Sequence, residues 1–126
     1  MTMARRALVC DDDAPIRKMV RDILEGLGVE VVEASDGQQA LSFLLREKFD
    51  LMVTDFLMPR IDGLQVIRDL RALPGGDRVP VVLMSAISRS QMGPEGRGPD
   101  HYINKPFKPR KMARLLESIL ARLPPA

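Results

Sequence analysis

The feature that most constrains the fold is a series of short apolar runs separated by longer segments of helical periodicity. The first and fourth runs are apolar at every position, which is typical of strands buried on both faces of a sheet. Because such runs alternate with segments long enough for crossover helices, the strands are expected to be parallel and covered by helices on both sides. The runs predict strands at residues 7–10, 29–34, 51–54, 81–84 and 102–103.

The segments between these runs carry apolar residues at the spacing of one helix face. Pro15 suits the first turn of the first helix, and Gly26 and Gly28 suit its exit. Either Ser35 or Asp36 can cap the second helix. The pattern predicts helices over residues 15–27, 36–48 and 63–72, and a last helix that starts near Lys108 and carries its apolar stripe over residues 112–123.

Residues 87–99 interrupt this alternation, because a helix is expected between the fourth and fifth strands but the segment is rich in helix breakers. The segment contains Gly93, Pro94, Gly96 and Gly98, and it has almost no apolar stripe. We therefore expect a loop with at most one turn near residues 88–92. The fourth helix is then shortened, irregular or absent.

The composition is that of one globular domain, since 45% of the 126 residues are apolar and 29% are charged. We expect a single domain over residues 1–126, with its core at 5–122 and a tail or the start of a linker at 123–126. The lone cysteine, Cys10, cannot form an internal disulfide, so we expect an inert core thiol and a cytoplasmic location. No run is long enough to span a membrane, and a net charge of +2 does not by itself favour nucleic-acid binding.

Polar side chains that suit phosphate and metal chemistry follow four of the predicted strands. Because the carboxyl ends of parallel strands meet at one edge of a sheet, these groups should converge there. They are Asp11, Asp12 and Asp13 after the first strand, Asp55 after the third, Ser85 after the fourth and Lys105 after the fifth.

Carboxylates packed this closely repel one another, and burial makes their ionisation harder still, so a divalent cation is the simplest neutraliser. Oxygen ligands favour Mg²⁺, which also takes oxygens from a substrate phosphate. Lys105 supplies a point charge for a phosphoryl oxygen, and Ser85 supplies a hydroxyl donor. The set suits phosphoryl transfer. Asp13 has an alternative role as the cap of the first helix, which is the more common role at such a position.

Four segments, in order and each at a strand end, resemble the motifs of the bacterial response-regulator receiver domain. The resemblance covers nearly the whole chain. It implies a flavodoxin-like (βα)5 three-layer sandwich with a parallel five-stranded sheet in the order 2-1-3-4-5. The segments are LVCDDD at 8–13, DFLMPRIDG at 55–63, MSA at 84–86 and YINKPF at 102–107.

The resemblance also implies a role for each residue at this edge of the sheet. Asp55 would be the nucleophile that accepts the phosphoryl group. Mg²⁺ would be bound by Asp12, Asp55 and the backbone carbonyl of Leu57, while Asp11 would hold a metal-bound water. Lys105 would pair with the phosphoryl group, and its bond to Pro106 would be cis. The Ala86 backbone N–H would also contact the phosphoryl group, and the switch residues would be Ser85 and Tyr102.

The implied function is a phosphorylation-dependent signalling switch in a two-component pathway. A sensor histidine kinase or phosphotransfer protein would donate the phosphoryl group, and a downstream protein would read the result. We expect no contact of this domain with nucleic acid or membrane, and a monomer or a weak phosphorylation-dependent dimer. Cations at Lys108, Arg110 and Lys111 oppose the dipole of the last helix. A solvated helix face is the more common explanation of such a charge run, and a partner with an acidic surface is the alternative.

Two other functions fit part of the pattern. A phosphatase of the haloacid-dehalogenase type would use Asp11 as nucleophile and Asp13 as acid and base. However, Pro15 stands where that family has threonine, and Asp55 is left without a role. The other alternative is an interaction module that keeps the fold without being phosphorylated, which the completeness of the four motifs disfavours. Beyond its own phosphorylation and dephosphorylation, no enzymatic activity is expected.

Overall fold

Parallel strands form one five-stranded sheet in the order β2-β1-β3-β4-β5. The structure is a computed structural model that describes residues 4–88 and 98–124. The sheet order confirms the prediction and places β1 and β3 at the centre. The strands are β1 (Arg6–Cys10), β2 (Glu30–Ala34), β3 (Leu51–Asp55), β4 (Val81–Ser85) and β5 (His101–Asn104), and the helices are α1 (Ala14–Gly26), α2 (Gly37–Arg46), α3 (Gly63–Ala72) and α4 (Pro109–Arg122).

The strand side chains alternate between two apolar clusters, one on each face of the sheet. In β1, Ala7 and Val9 face the cluster built with α1 and α4, whereas Leu8 and Cys10 face the cluster built with α2 and α3. Both sets are fully buried, which explains why β1 is apolar from Ala7 to Cys10. The result is the predicted three-layer sandwich of helices, sheet and helices.

Three of the helices begin with an aspartate whose side chain accepts a backbone N–H of the first turn. Asp13 caps α1, Asp36 caps α2 and Asp62 caps α3. Asp36 rather than Ser35 is therefore the cap of α2. The cap at Asp13 agrees with the more common of its two sequence-based roles.

The helix ends differ from the sequence-based bounds by a few residues. Helix α2 ends at Arg46, because the backbone of Glu47 is already extended. Helix α4 begins at Pro109, before the apolar stripe starts at Met112, since proline suits the first turn of a helix. Lys108 occupies its cap position without a side-chain hydrogen bond.

The connection between β4 and β5 contains no helix in the residues that flank its undescribed part, 86–88 and 98–100. The predicted turn near 88–92 and most of the predicted loop at 87–99 lie outside the described residues. At its end, Arg71 of α3 pairs with Asp100 at 2.9 Å, and Asp100 also accepts the Val81 N–H at 2.8 Å. Arg71 thereby holds the start of β5 against the start of β4.

Cys10 lies in the core, as predicted. Burial raises the pKa of its thiol to about 12, so the nucleophilic thiolate is scarce at neutral pH. In the described part of the chain, no helix is both long and apolar enough to cross a membrane.

Candidate functional site

The carboxyl ends of the parallel strands bring the polar residues of the sequence pattern to one edge of the sheet. Asp55 is the last residue of β3 and lies in register with Met84 of β4. Ser85 ends β4 and lies in register with Asn104, directly before Lys105. The predicted convergence of Asp11, Asp12, Asp55, Ser85 and Lys105 follows from this register.

Three carboxylates form a cluster at this edge. One oxygen each from Asp11, Asp12 and Asp55 lies within 4.8 Å of the other two. Asp11 is fully buried, Asp55 is 7% exposed and Asp12 is exposed. The Nζ of Lys105 lies 2.9 Å from Asp11 Oδ2 and 3.1 Å from Asp55 Oδ1. One ammonium therefore faces a cluster with up to three negative charges.

Asp11 is held at each of its polar atoms. Its Oδ1 accepts the Asp13 N–H at 2.9 Å, and its Oδ2 accepts from Lys105. Its backbone N–H donates to the Ala34 carbonyl at 3.1 Å, and its carbonyl accepts from Arg17 Nη1 at 2.8 Å. Two partners thus hold the Asp11 carboxylate, and two more hold its backbone.

Asp55 is fixed by backbone contacts on both sides. Its Oδ1 accepts the Phe56 N–H at 3.0 Å, and its carbonyl accepts the Thr54 hydroxyl at 3.1 Å. The first residue of α3, Gly63, passes so close that a Cβ there would lie 2.1 Å from the Asp55 carbonyl oxygen. The helix start therefore packs directly on the backbone that carries Asp55.

Burial, followed by the charge of Asp11, raises the pKa of Asp55 to about 6, although Lys105 and the Phe56 N–H oppose the rise. For Lys105, burial lowers the pKa, but the hydrogen bonds and charges of Asp11 and Asp55 together outweigh burial and raise it. The ammonium stays charged at neutral pH, while Asp55 loses its proton near pH 6.

The raised pKa of Asp55 predicts a loss of stability with rising pH when a chelator is present. Between its ordinary pKa of 3.8 and about 6, the folded chain retains a proton that the unfolded chain has released. The free energy of unfolding contributed by Asp55 therefore falls as pH rises through this window. Asp55→Asn removes this contribution. In urea unfolding, the free energy of unfolding of the variant relative to that of the wild type should therefore rise from pH 4 to pH 7. Parallel pH curves for the two chains would contradict the prediction.

The remaining predicted site residues lie around the cluster. The Ser85 hydroxyl is buried and accepts the Ile87 N–H at 3.1 Å, and the Ser85 carbonyl accepts the Lys105 N–H at 2.8 Å. Ala86 is exposed, directly after β4. Tyr102 is half-buried and packs against the apolar cluster beneath α2 and α3. The Lys105–Pro106 peptide bond is cis, as the resemblance implied.

Sequence reasoning missed three residues that shape this site. Thr54 and Arg17 each bond to the backbone of a cluster aspartate, and Gly63 packs on Asp55. Gly63 was recognised as the end of the segment 55–63 and as a helix start, but its close approach to the Asp55 backbone was not. No sequence pattern indicated the contact of Arg17 with Asp11, because Arg17 resembles any other charged residue of an amphipathic helix.

The charge balance of the cluster fits a bound divalent cation. Burial and the neighbouring Asp11 raise the pKa of Asp55 even with Lys105 in place, so the cluster has more negative charge than its own cation offsets. All of its ligand atoms are oxygens, and one carboxylate, Asp12, is exposed. This donor set suits Mg²⁺ with retained waters.

Comparisons with known proteins identify the relatives of this chain. A sequence model of the response regulator receiver domain matches residues 7–117. The phosphate regulon transcriptional regulatory protein PhoB of Escherichia coli (strain K12) is 36% identical over 125 residues, covering 98% of this chain and 55% of PhoB. The probable transcriptional regulator ycf27 of Porphyridium aerugineum is 37% identical over 120 residues, covering 94% of this chain and 49% of ycf27. The chain spans about half the length of these curated relatives.

Solved structures share the whole fold. The chemotaxis response regulator CheY4 of Vibrio cholerae superposes with a TM-score of 0.84 at 27% identity, covering 93% of this chain and 99% of CheY4. The receiver domain of sensor histidine kinase PA1611 from Pseudomonas aeruginosa PAO1 has a TM-score of 0.82 at 26% identity, covering 94% of this chain and 99% of that domain, with a magnesium ion coordinated in its active site cleft. With a matching sequence model over most of its length and relatives above one-third identity, this chain belongs to the response regulator receiver domain family.

Proposed function

We propose that this chain is a phosphorylation-operated signalling switch in which Asp55 accepts a phosphoryl group from a phosphohistidine. The donor is a sensor histidine kinase or a phosphotransfer protein of a two-component pathway. The observation that carries the proposal is the nearly buried carboxylate of Asp55, 3.1 Å from the Lys105 ammonium and beside Asp11 and Asp12. A carboxylate without catalytic use would not be expected among like charges at such a position.

In the proposed reaction, a carboxylate oxygen of Asp55 forms a bond to phosphorus as the bond between phosphorus and the histidine nitrogen breaks. The imidazole leaves and takes up a proton. Because the pKa of Asp55 is about 6, most of the carboxylate is ionised and nucleophilic at neutral pH. Lys105, whose raised pKa keeps it protonated, supplies positive charge for a phosphoryl oxygen.

We propose that Asp12, Asp55 and the backbone carbonyl of Leu57 bind Mg²⁺ directly, and that Asp11 holds a metal-bound water. When bound, Mg²⁺ neutralises the carboxylates and the phosphoryl oxygens that approach them. Asp11 suits an indirect role, because both of its carboxylate oxygens already accept hydrogen bonds. Asp12 suits a direct role, because it is exposed at the mouth of the cluster.

The output of the switch is proposed to begin at Ser85. Phosphorylation adds nearly two negative charges and three acceptor oxygens at Asp55. The Ser85 hydroxyl and the Ala86 N–H are proposed to turn toward these oxygens, and Tyr102 to turn inward behind them. Ser85 now accepts the Ile87 N–H, so its movement changes the start of the connection between β4 and β5. A downstream protein then distinguishes the two states by this surface.

The curated relatives bear on the partners of this domain. The relatives are about twice as long, and one of them is named the DNA-binding response regulator MtrA of Mycobacterium tuberculosis. We propose that this domain contacts proteins rather than nucleic acid or membrane, that it is a monomer or a weak phosphorylation-dependent dimer, and that it acts in the cytoplasm. Residues 5–122 are proposed as its core, with 123–126 as a tail or the start of a linker.

The contacts of Asp11 and Asp13 argue against the phosphatase alternative. That mechanism needs Asp11 as a free nucleophile, but its two oxygens accept from the Asp13 N–H and from Lys105. It also needs Asp13 as an acid and base, but the Asp13 side chain caps α1. The receiver mechanism uses Asp55, whose side chain, among the residues that the structure describes, accepts from one backbone N–H and lies beside the ammonium of Lys105.

The proposal is tested by incubating the chain with acetyl phosphate and MgCl₂ and mapping the product by mass spectrometry. We expect one added phosphoryl group, located on Asp55, and no addition when a chelator replaces the metal. Label on Asp11, or equal labelling with and without the metal, would overturn the assignment.

A further inference from the structure

Arg17 connects helix α1 to the carboxylate cluster. Its Nη1 donates to the backbone carbonyl of Asp11 at 2.8 Å, and its Nε donates to Glu33 Oε1 of β2 at 2.8 Å. Only 19% of the Arg17 side chain is exposed. The guanidinium therefore bridges the end of β1 to β2 from within the protein.

The second partner of Arg17 is itself held in place. Glu33 is paired on its other oxygen with Arg21, one turn further along α1. Burial of Glu33 acts to raise its pKa, but Arg21 and Arg17 together outweigh burial and lower it, so the carboxylate stays ionised at neutral pH. Arg17 is thus oriented by a charged anchor rather than by solvent.

The contact with the Asp11 carbonyl links Arg17 to the carboxylate cluster. Asp11 follows directly after β1, where the regular sheet pairing stops and the chain turns into α1. Its carbonyl is fixed by Arg17, while its carboxylate reaches Lys105 and the oxygens of Asp12 and Asp55. Rotation of this peptide unit would move the carboxylates of both Asp11 and Asp12.

We propose that Arg17 is a positioning residue for the metal site: by holding the Asp11 carbonyl, it sets the placement of Asp11 and Asp12 for Mg²⁺. The inference rests on the proposed function of the cluster and extends it to a residue that touches neither the metal nor the phosphoryl group. The fork geometry of arginine is required, because one side chain must reach Asp11 and Glu33 at the same time.

The direction in which Mg²⁺ affinity changes when Arg17 is removed distinguishes a positioning role from simple electrostatics. If Arg17 acted only as a nearby positive charge, its removal would strengthen binding of a divalent cation. If Arg17 acts by positioning, its removal weakens binding. Partners behind metal ligands typically contribute about tenfold or more to metal affinity.

The test is isothermal titration of the metal-free chain with MgCl₂, comparing Arg17→Met with Lys18→Met. Both variants remove one cation from neighbouring positions of α1, but Lys18 is exposed and pairs with exposed Asp22. We expect the Mg²⁺ dissociation constant to rise about tenfold for Arg17→Met. For Lys18→Met we expect a change of less than about twofold at physiological salt, because exposed charges are screened.

A second variant, Arg17→Lys, keeps the charge but cannot bridge both partners, so it should also weaken Mg²⁺ binding and remains informative if the methionine variant does not fold. Unchanged or tighter binding in Arg17→Met or Arg17→Lys, with wild-type binding intact, would overturn the positioning role alone. Absence of Mg²⁺ binding in the wild type would overturn the proposed metal site, and this inference with it.

Discussion

The Asp55→Asn chain should take up no phosphoryl group from acetyl phosphate in the presence of Mg²⁺. Asparagine fills the same space, but its neutral amide is not a nucleophile toward phosphorus. Asp11 should not substitute, because it is fully buried with both carboxylate oxygens engaged, and Asp12 should not substitute, because we expect it to be occupied as a ligand of Mg²⁺. Intact-mass measurement over a time course would show complete loss of the modified species.

The control for this variant is Asp22→Asn, which makes the same chemical change on the exposed face of α1. It should be labelled as the wild type is. Loss of label in Asp55→Asn should not reflect unfolding, because removing a like charge from the cluster is expected to stabilise the fold. Residual labelling at the wild-type rate, or Mg²⁺-dependent phosphatase activity that survives in Asp55→Asn, would return the phosphatase alternative to consideration.

The position of the site was predictable because it depends on topology rather than on side-chain detail. A parallel sheet carries all its strand ends to one edge, so any residue that follows a strand is placed by the strand itself. Asp55, Ser85 and Lys105 were placed in this way from the sequence. The strands were recognisable because burial on both faces leaves β1, β3 and β4 almost without polar residues.

The residues that support the site were not predictable, because their roles depend on contacts between distant parts of the chain. Arg17 looks like its neighbour Lys18 in the sequence, and only the approach of α1 to β2 distinguishes a bridging arginine from an exposed lysine. The start of α4 could be placed near Lys108 from the sequence, although its first turn, from Pro109, is exposed and precedes the apolar stripe.

The sequence did not predict the packing of Gly63 on the Asp55 backbone, yet replacing Gly63 with alanine should produce one of the largest losses of stability in this chain. Its Cβ would lie 2.1 Å from the Asp55 carbonyl oxygen and 3.2 Å from Leu83 Cδ1. The Gly63 N–H also donates to the Phe56 carbonyl at 2.8 Å, so α3 cannot retreat without breaking this bond. The backbone on both sides is fixed, and the overlap cannot be relieved by a rotamer change.

Overpacking against backbone typically costs 1–3 kcal/mol, and we expect Gly63→Ala to lose at least about 2 kcal/mol in urea unfolding. Because the displaced atoms belong to Asp55, phosphorylation by acetyl phosphate should slow as well. Gly26→Ala is the matched control: it lies at the end of α1 with no atom within 4 Å of its Cβ, so it should gain about 0.5 kcal/mol. Opposite shifts for the two glycines would show that the start of α3 packs without slack on the backbone of Asp55, whereas equal midpoints would show that the helix start adjusts freely.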